Sequence, residues 1–437
     1  MSELAVVKLR RDECEAVMAA LRAGVVPRAG AHLIQVGRKR EIESVVADLA
    51  RVARGEGMFR IVSGEYGAGK SFFLNLVETI AQAQKFVTLH ADLAPGRRLH
   101  GNGGQARALY AELMANVSTQ GRSGGRALRS VIERFFTSAA SEAEESGQEA
   151  AAVLEARYAV IEEMSGGFDV AQVLRAYGRG VEADNQVLVT SALRWLRGEY
   201  TTRTEARSAL GVRQIVGDDN YYDILVVLAT VVRQSGYAGL IVAIDEMVNI
   251  AKIPQGRIRE QNYEQLLKVL NDSLQRNTAG LGFIFGATTE TMEHSRRGVA
   301  SYAALSTRLS ANDFVEGTLV DFAGPVLPLV SLGAEDLWVL CANVRHVAAY
   351  GESERYAVPD EAITSFLAHV TGKVGAAYFL TPRQSIREFA DLLAVLEQNP
   401  DTSWDALVDR VEFSIEEDDE GIVEAEIVDN EFTNFHL

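Results

Sequence analysis

The chain has 437 residues, is 47% hydrophobic and carries a formal charge of -17. That length predicts roughly two or three domains with a real apolar core, and the acidic balance excludes a protein whose main surface tracks nucleic-acid phosphates, although a local basic patch stays open. Cys14 and Cys341 stand far apart without Cys or His at ligand spacing, which excludes a disulfide framework and a zinc knuckle and leaves both as buried small residues. Met1-Ser2-Glu3-Leu4 opens no basic and apolar leader, and no run reaches the roughly 20 apolar residues of a bilayer span. A soluble cytoplasmic protein without membrane contact is expected.

In chain order, residues 11 to 23 and 40 to 54 have helical spacing of apolar positions and are joined by a Gly- and Pro-punctuated connector from Gly24 to Lys39. Met58 to Val62 is a short apolar run that stops at Ser63-Gly64, and the pattern from Lys70 through Phe73, Leu74, Leu76 and Val77 is helical again. This predicts strand, Gly-rich turn, helix. Lys85 to Ala91 reads as a second strand. From about Gln105 to Ser235 the periodicity is helical, interrupted at Gly124-Gly125, Gly166-Gly167 and Gly217-Asp218, which predicts a helical insertion. Gly239 to Ile244 and Gly282 to Ala287 are continuous apolar runs, the pattern of strands buried on both faces of a parallel sheet. A last run, Gly324 to Val330, precedes helical stretches at 334 to 349, 359 to 371 and 382 to 397.

The expected fold is therefore α/β, a parallel-sheet P-loop core with a large helical insertion and a small helical C-terminal lid. Its expected parts are 1–104 and 236–330 for the two halves of the core, 105–235 for the insertion, 331–400 for the lid and 401–437 for an acidic tail. That tail, densest at Glu416-Glu417-Asp418-Asp419-Glu420, is expected to be solvated, with Ile422, Val423, Ile427, Val428 and Phe432 available to dock on a partner.

Gly64-Glu65-Tyr66-Gly67-Ala68-Gly69-Lys70-Ser71 has the residue types that a triphosphate requires. Glycines let backbone N–H groups curl around phosphate oxygens without a clashing Cβ, and the following helix points its positive end at the anion. Lys70 is expected to reach the β and γ phosphates and Ser71 to offer a hydroxyl to magnesium, with Phe72 completing the candidate ATP-binding set. Ile241 to Ile244 ends in Asp245-Glu246, placing two carboxylates where a doubly wound sheet holds its ligands. Asp245 suits a magnesium ligand and Glu246 the general base on the attacking water. Thr288 and Thr289 follow the next strand, where a polar side chain would lie between the carboxylates and the γ-phosphate; an ordinary strand-end threonine is the alternative until strand order is seen.

The order of these features, with an Arg before the last strand and a helical lid, resembles the AAA+ superfamily. Gly37-Arg38-Lys39-Arg40-Glu41 is similar to the Gly-Arg-x-x-Glu segment of its origin-recognition-like branch. Within that branch, the loop from Gly64 to Ser71, Gly236-Tyr-Ala-Gly-Leu240 leading into Ile244-Asp-Glu246, and Ser301-Tyr-Ala-Ala-Leu305 before Arg308-Leu309 resemble the BrxD family of ATP-binding proteins from bacteriophage exclusion systems. The resemblance spans nearly all of residues 30 to 395. It implies an ATPase of antiphage defence, encoded beside helicase and DNA-modification components and working as a homo-oligomer. It also implies that Arg308 is the arginine reaching a neighbour's γ-phosphate, with Arg296 and Arg297 weaker candidates. Arg383, following Thr381 and Pro382 at the start of a lid helix, is the matching lid arginine, with Arg387 its competitor. The origin-binding branch carries a winged helix after the lid, and only an acid-rich segment follows here, which counts against direct duplex reading.

Three functions compete at this point. One is an ATP-hydrolysing motor or loader working with a helicase, which Glu246 favours. The others are a nucleotide-gated scaffold with little turnover and a DNA-binding initiator, the latter disfavoured by the acidity.

Overall fold

A computed structural model describes residues 9–122, 126–275, 278–310, 312, 320–372 and 382–408. Its centre is a five-stranded parallel sheet of β1 (Met58–Gly64), β2 (Val87–Asp92), β3 (Leu240–Asp245), β4 (Leu281–Thr288) and β5 (Val326–Pro328), in the order β2-β3-β4-β1-β5. The expected α/β fold is present, and all five expected apolar runs contribute a strand. The three inner strands bury almost every position, as a sheet covered on both faces demands.

Alternation along the strands divides the core in two. Met58, Val62, Ile241, Ala243 and Ile284 pack against helices α2 (Lys39–Ala53) and α3 (Lys70–Ala83). Phe59, Ile61, Leu89, Val242, Phe283 and Phe285 pack on the other face against helices Tyr221–Gln234 and Gly256–Leu274 and residues of the insertion. Between β2 and β3 the described residues hold seven helices, from Gln105–Ala115 to Tyr221–Gln234. Gly166 begins one of them in the left-handed region at φ 76°; Gly124 and Gly125 lie outside the described residues.

A separate apolar cluster is formed by helices Ala334–Ala348, Asp360–Gly372 and Pro382–Gln398, and the first helix, α1 (Arg11–Arg22), contributes Cys14, Val17 and Leu21 to it. Both cysteines are buried here as free thiols. The start of the acidic tail also folds: Trp404–Val408 is a short helix whose Trp404, Leu407 and Val408, at helical spacing, pack on the same cluster. The remainder of the tail, and with it the expected solvated run at 416–420, lies outside the described residues. No helix among the described residues is long and apolar enough to cross a membrane.

The inner strand β1 is fastened to α2 by a buried ion pair. Arg60 and Asp48, with side chains 5% and 4% exposed, meet at 2.5 Å from Nε to Oδ2. Arg60 also donates to the Gly324 carbonyl and to Ser44 Oγ, and Ser44 donates to the Phe322 carbonyl. One guanidinium thus ties β1, α2 and the approach to β5 together. Removing one partner strands the other charge in a dry interior, so Asp48→Ala is expected to cost roughly 3–5 kcal/mol in urea-induced unfolding. A loss below about 1 kcal/mol would mean that the pair does not fasten the strand.

Candidate functional site

β1 ends at Gly64 because the chain there must pass close to its neighbour: a Cβ on Gly64 would lie 2.7 Å from the Leu329 carbonyl. Gly67 and Gly69 then take φ values of 72° and 89°, a conformation that L side chains rarely adopt, and Gly69 begins α3. Lys70, the first residue of that helix, folds its ammonium back on the loop, donating to the carbonyls of Gly64 at 3.1 Å and Glu65 at 2.9 Å. Arg38 secures the loop from outside, donating to the Ala68 carbonyl at 3.1 Å beside its ion pair with Glu41.

β3 delivers Asp245, 5% exposed. The neighbouring strand accommodates its carboxylate only because residue 286 is glycine; a Cβ there would lie 2.0 Å from Asp245 Oδ1. Asp245 Oδ1 accepts the Glu246 amide at 2.8 Å, the Met247 amide donates to the Gly286 carbonyl, and Glu246 is held between them at φ 62°. A non-glycine residue in that region costs roughly 1–3 kcal/mol and persists where its surroundings over-determine it. β4 lies between β3 and β1. Thr288 at its end pairs with Gly64, and its hydroxyl caps the helix Thr289–Glu293 through the Thr291 amide.

A cleft of about 830 Å³ opens over these strand ends. Tyr66, Gly67, Ala68, Gly69, Lys70, Ser71, Phe72, Asp245, Glu246, Thr288 and Arg383 all line it, whereas Gly64 and Glu65 meet Lys70 through their carbonyls. Val26, Ile34, Val36, Leu332, Leu340 and Ile386 give it an apolar part. Arg383 donates to the Gly24 carbonyl at 2.7 Å; its expected cap Thr381 lies outside the described residues. Arg387 packs at Gly24 and is absent from the lining. Arg308 is exposed on helix Ala303–Leu309, folded back on the Ala304 carbonyl, and does not line the cleft of its own chain. Arg297 donates to the carbonyls of Ala251, Lys252 and Ile253, which makes it a brace for that turn.

Magnesium fits the available donors. Ser71 and Asp245 are hard oxygen ligands in an open cleft, and this ion keeps several waters and binds through few protein groups plus phosphate. Among the described residues no three His, Cys, Asp or Glu side chains stand close enough to cage a metal.

Sequence reading missed Arg38 as a loop support and missed two further lining residues, His90 and Asp92. The signal was present, since both follow Thr88 on the polar face of β2, which alternates with the apolar Val87, Leu89 and Ala91. His90 sits between Glu78 of α3, at 2.8 Å from Nδ1, and Asp92, at 3.3 Å from Nε2. Burial opposes protonation of the imidazole, but hydrogen bonds and charge from Asp92 and Glu78 outweigh it and raise the pKa to about 10. The same hydrogen bond holds the Asp92 carboxyl below its ordinary range.

A parallel sheet in which the inner strand β1 feeds a glycine-rich loop and helix, near a buried acidic strand end, defines a P-loop α/β protein. Residues 9–412 match the family described as BREX system ATP-binding protein BrxC/D, and the chain belongs to that family. Among curated proteins none matches it.

The His90 network makes a pH prediction. Its folded pKa is raised, so its stabilisation is complete below the ordinary value of 6.5 and is lost as pH rises through about 10. Across that window the melting temperature of the native chain is expected to fall toward that of His90→Gln. Parallel curves would contradict the assigned protonation.

Proposed function

We propose that this chain is a magnesium-dependent ATPase of the AAA+ type that works in antiphage defence as an assembly of several copies. The observation that carries the proposal is the convergence on one cleft of the Gly67–Ser71 loop, the buried Asp245 and the strained Glu246. Family membership supports ATP as the nucleotide and defence as the setting.

In this reading Lys70 exchanges its two loop carbonyls for the β and γ phosphates, and the loop amides take the remaining oxygens. The base occupies the apolar part of the cleft between Val26, Ile34 and Ile386. Ser71 and Asp245 hold magnesium, which when bound offsets the charge of the phosphates. Glu246 accepts the proton of the attacking water, and Thr288 responds to the γ-phosphate from between the two strand ends. Arg383 leaves the Gly24 carbonyl to reach the nucleotide in cis. A helicase or other defence protein as partner, and any contact with DNA, follow from the family resemblance alone.

Lys70→Ala is expected to abolish nucleotide binding with the fold retained, and Glu246→Gln to bind Mg-ATP while turning over poorly. Tight ATP binding by the first variant, or an unchanged hydrolysis rate in the second, would overturn the corresponding role.

Arg308 is absent from its own cleft and exposed, which supports delivery of its guanidinium to the site of a neighbouring copy. Such fingers contribute roughly 10³ to 10⁵ in turnover. Arg308→Ala is expected to keep ATP affinity within about threefold, to lose hydrolysis to the extent such a finger supplies it, and to regain activity when mixed with Lys70→Ala subunits. Turnover per subunit is expected to rise with protein concentration. Normal hydrolysis by Arg308→Ala, or specific activity flat across assembly, would contradict delivery in trans.

A further inference from the structure

Asp92 is the last residue of β2 and pairs in parallel register with Asp245 on β3, with the Leu93 amide donating to the Asp245 carbonyl at 3.0 Å. Paired residues on adjacent parallel strands point to the same face. On this face Asp245 lies beside Leu74 and Gly286, and His90 meets Glu78 of α3. Asp92 therefore stands beside Asp245 at the end of the sheet, and both line the cleft with Ser71.

Tying β2 to α3 does not require Asp92. The Glu78–His90 bond at 2.8 Å and the bond from Gln82 to Thr88 at 2.8 Å already do so. Asp92 adds a carboxylate that is 53% exposed, with Oδ1 on His90 and the charges of Arg97 and Arg28 in its surroundings. A carboxylate beside a polyphosphate repels it unless a cation and its waters come between.

We propose that Asp92, oriented by His90, is a positioning residue for the divalent cation, accepting hydrogen bonds from water bound to a metal held by Ser71 and Asp245. Asp92 is given this outer place because it stands on the strand next to Asp245 and its Oδ1 is already engaged by His90. A hydrated magnesium ion presents donors a full water diameter beyond its ligands. Outer partners of this kind typically change metal affinity 10- to 100-fold when removed. The proposal rests on the Mg-ATP reading of the cleft.

The test is titration of a fluorescent ATP analogue into the full chain, first in EDTA and then at fixed nucleotide with rising magnesium. The native chain is expected to bind more tightly as magnesium is added; if it binds no nucleotide, or magnesium has no effect, the Mg-ATP reading itself falls. With that control met, Asp92→Asn is expected to raise the magnesium midpoint about 10-fold, at the lower end of the range for outer partners. Its affinity in EDTA is expected to stay the same or to tighten by up to about threefold, because a repelling charge has gone. His90→Gln is expected to shift the midpoint the same way by about threefold, since it frees the carboxylate without removing it. An unchanged midpoint in Asp92→Asn overturns the proposal. So does a parallel loss of EDTA binding and melting temperature, which marks a purely structural residue. An unchanged midpoint in His90→Gln removes the orienting role of the imidazole.

Discussion

The register of the parallel sheet is the constraint on which the rest depends. Gly64 stands opposite Thr288 and Asp92 opposite Asp245, while Asp245 falls beside Gly286, two residues before the end of β4, so Asp92, Asp245 and Thr288 share one face near the carboxyl edge. Parallel strands joined by crossover helices bring every carboxyl end to the same side. A residue placed one position earlier would point into the opposite face of the core, where Ala91, Ile244 and Ala287 stand just before Asp92, Asp245 and Thr288. The Asp48–Arg60 pair ties β1 to α2, and Gly286 leaves the space that the Asp245 carboxylate occupies.

The cleft is also the meeting place of segments far apart in the chain. Residues 24–36 form one wall, and the helix Pro382–Gln398 forms another. Because α1 shares its apolar face with the C-terminal helices, the connector that follows it is anchored to those helices at one end and to the glycine-rich loop, through Arg38, at the other. The ion pair of Arg22 with Asp391 and the bond from Arg383 to Gly24 reinforce the first anchor. A ligand that drew Arg383 away from Gly24 would remove one of the contacts that join the connector to the C-terminal helices, leaving the Arg22–Asp391 pair and the packing of α1 in place.

Much of this was legible in the amino-acid sequence, for physical reasons that differ by element. The strands were legible because burial on both faces leaves continuous apolar runs such as Leu240 to Ile244, and the loop because glycine takes the positive angles at 67 and 69 without the strain that an L side chain meets there. The placement of Thr288 needed strand order, which no local pattern encodes. The docking of α1 on the C-terminal helices was hidden, since helical periodicity reports that Val17 and Leu21 are buried but not against what. Trp404 and Val408 were masked by the acidity around them, although their spacing carried the signal. His90 and Asp92 were passed over because a polar residue near a strand end is common, and their significance depends on Glu78 coming alongside from α3.

The central claim is that nucleotide enters between the loop, the acidic strand end and the lid, and that it does so by replacing the contacts Lys70 makes with its own loop. A crystal structure with manganese and a non-hydrolysable ATP analogue tests this most directly. The account predicts manganese anomalous density beside Ser71 and Asp245, Lys70 Nζ moved from the Gly64 and Glu65 carbonyls onto phosphate oxygens, and the base against Val26, Ile34 and Ile386. Nucleotide bound elsewhere, or bound here with Lys70 still on those two carbonyls, would contradict it.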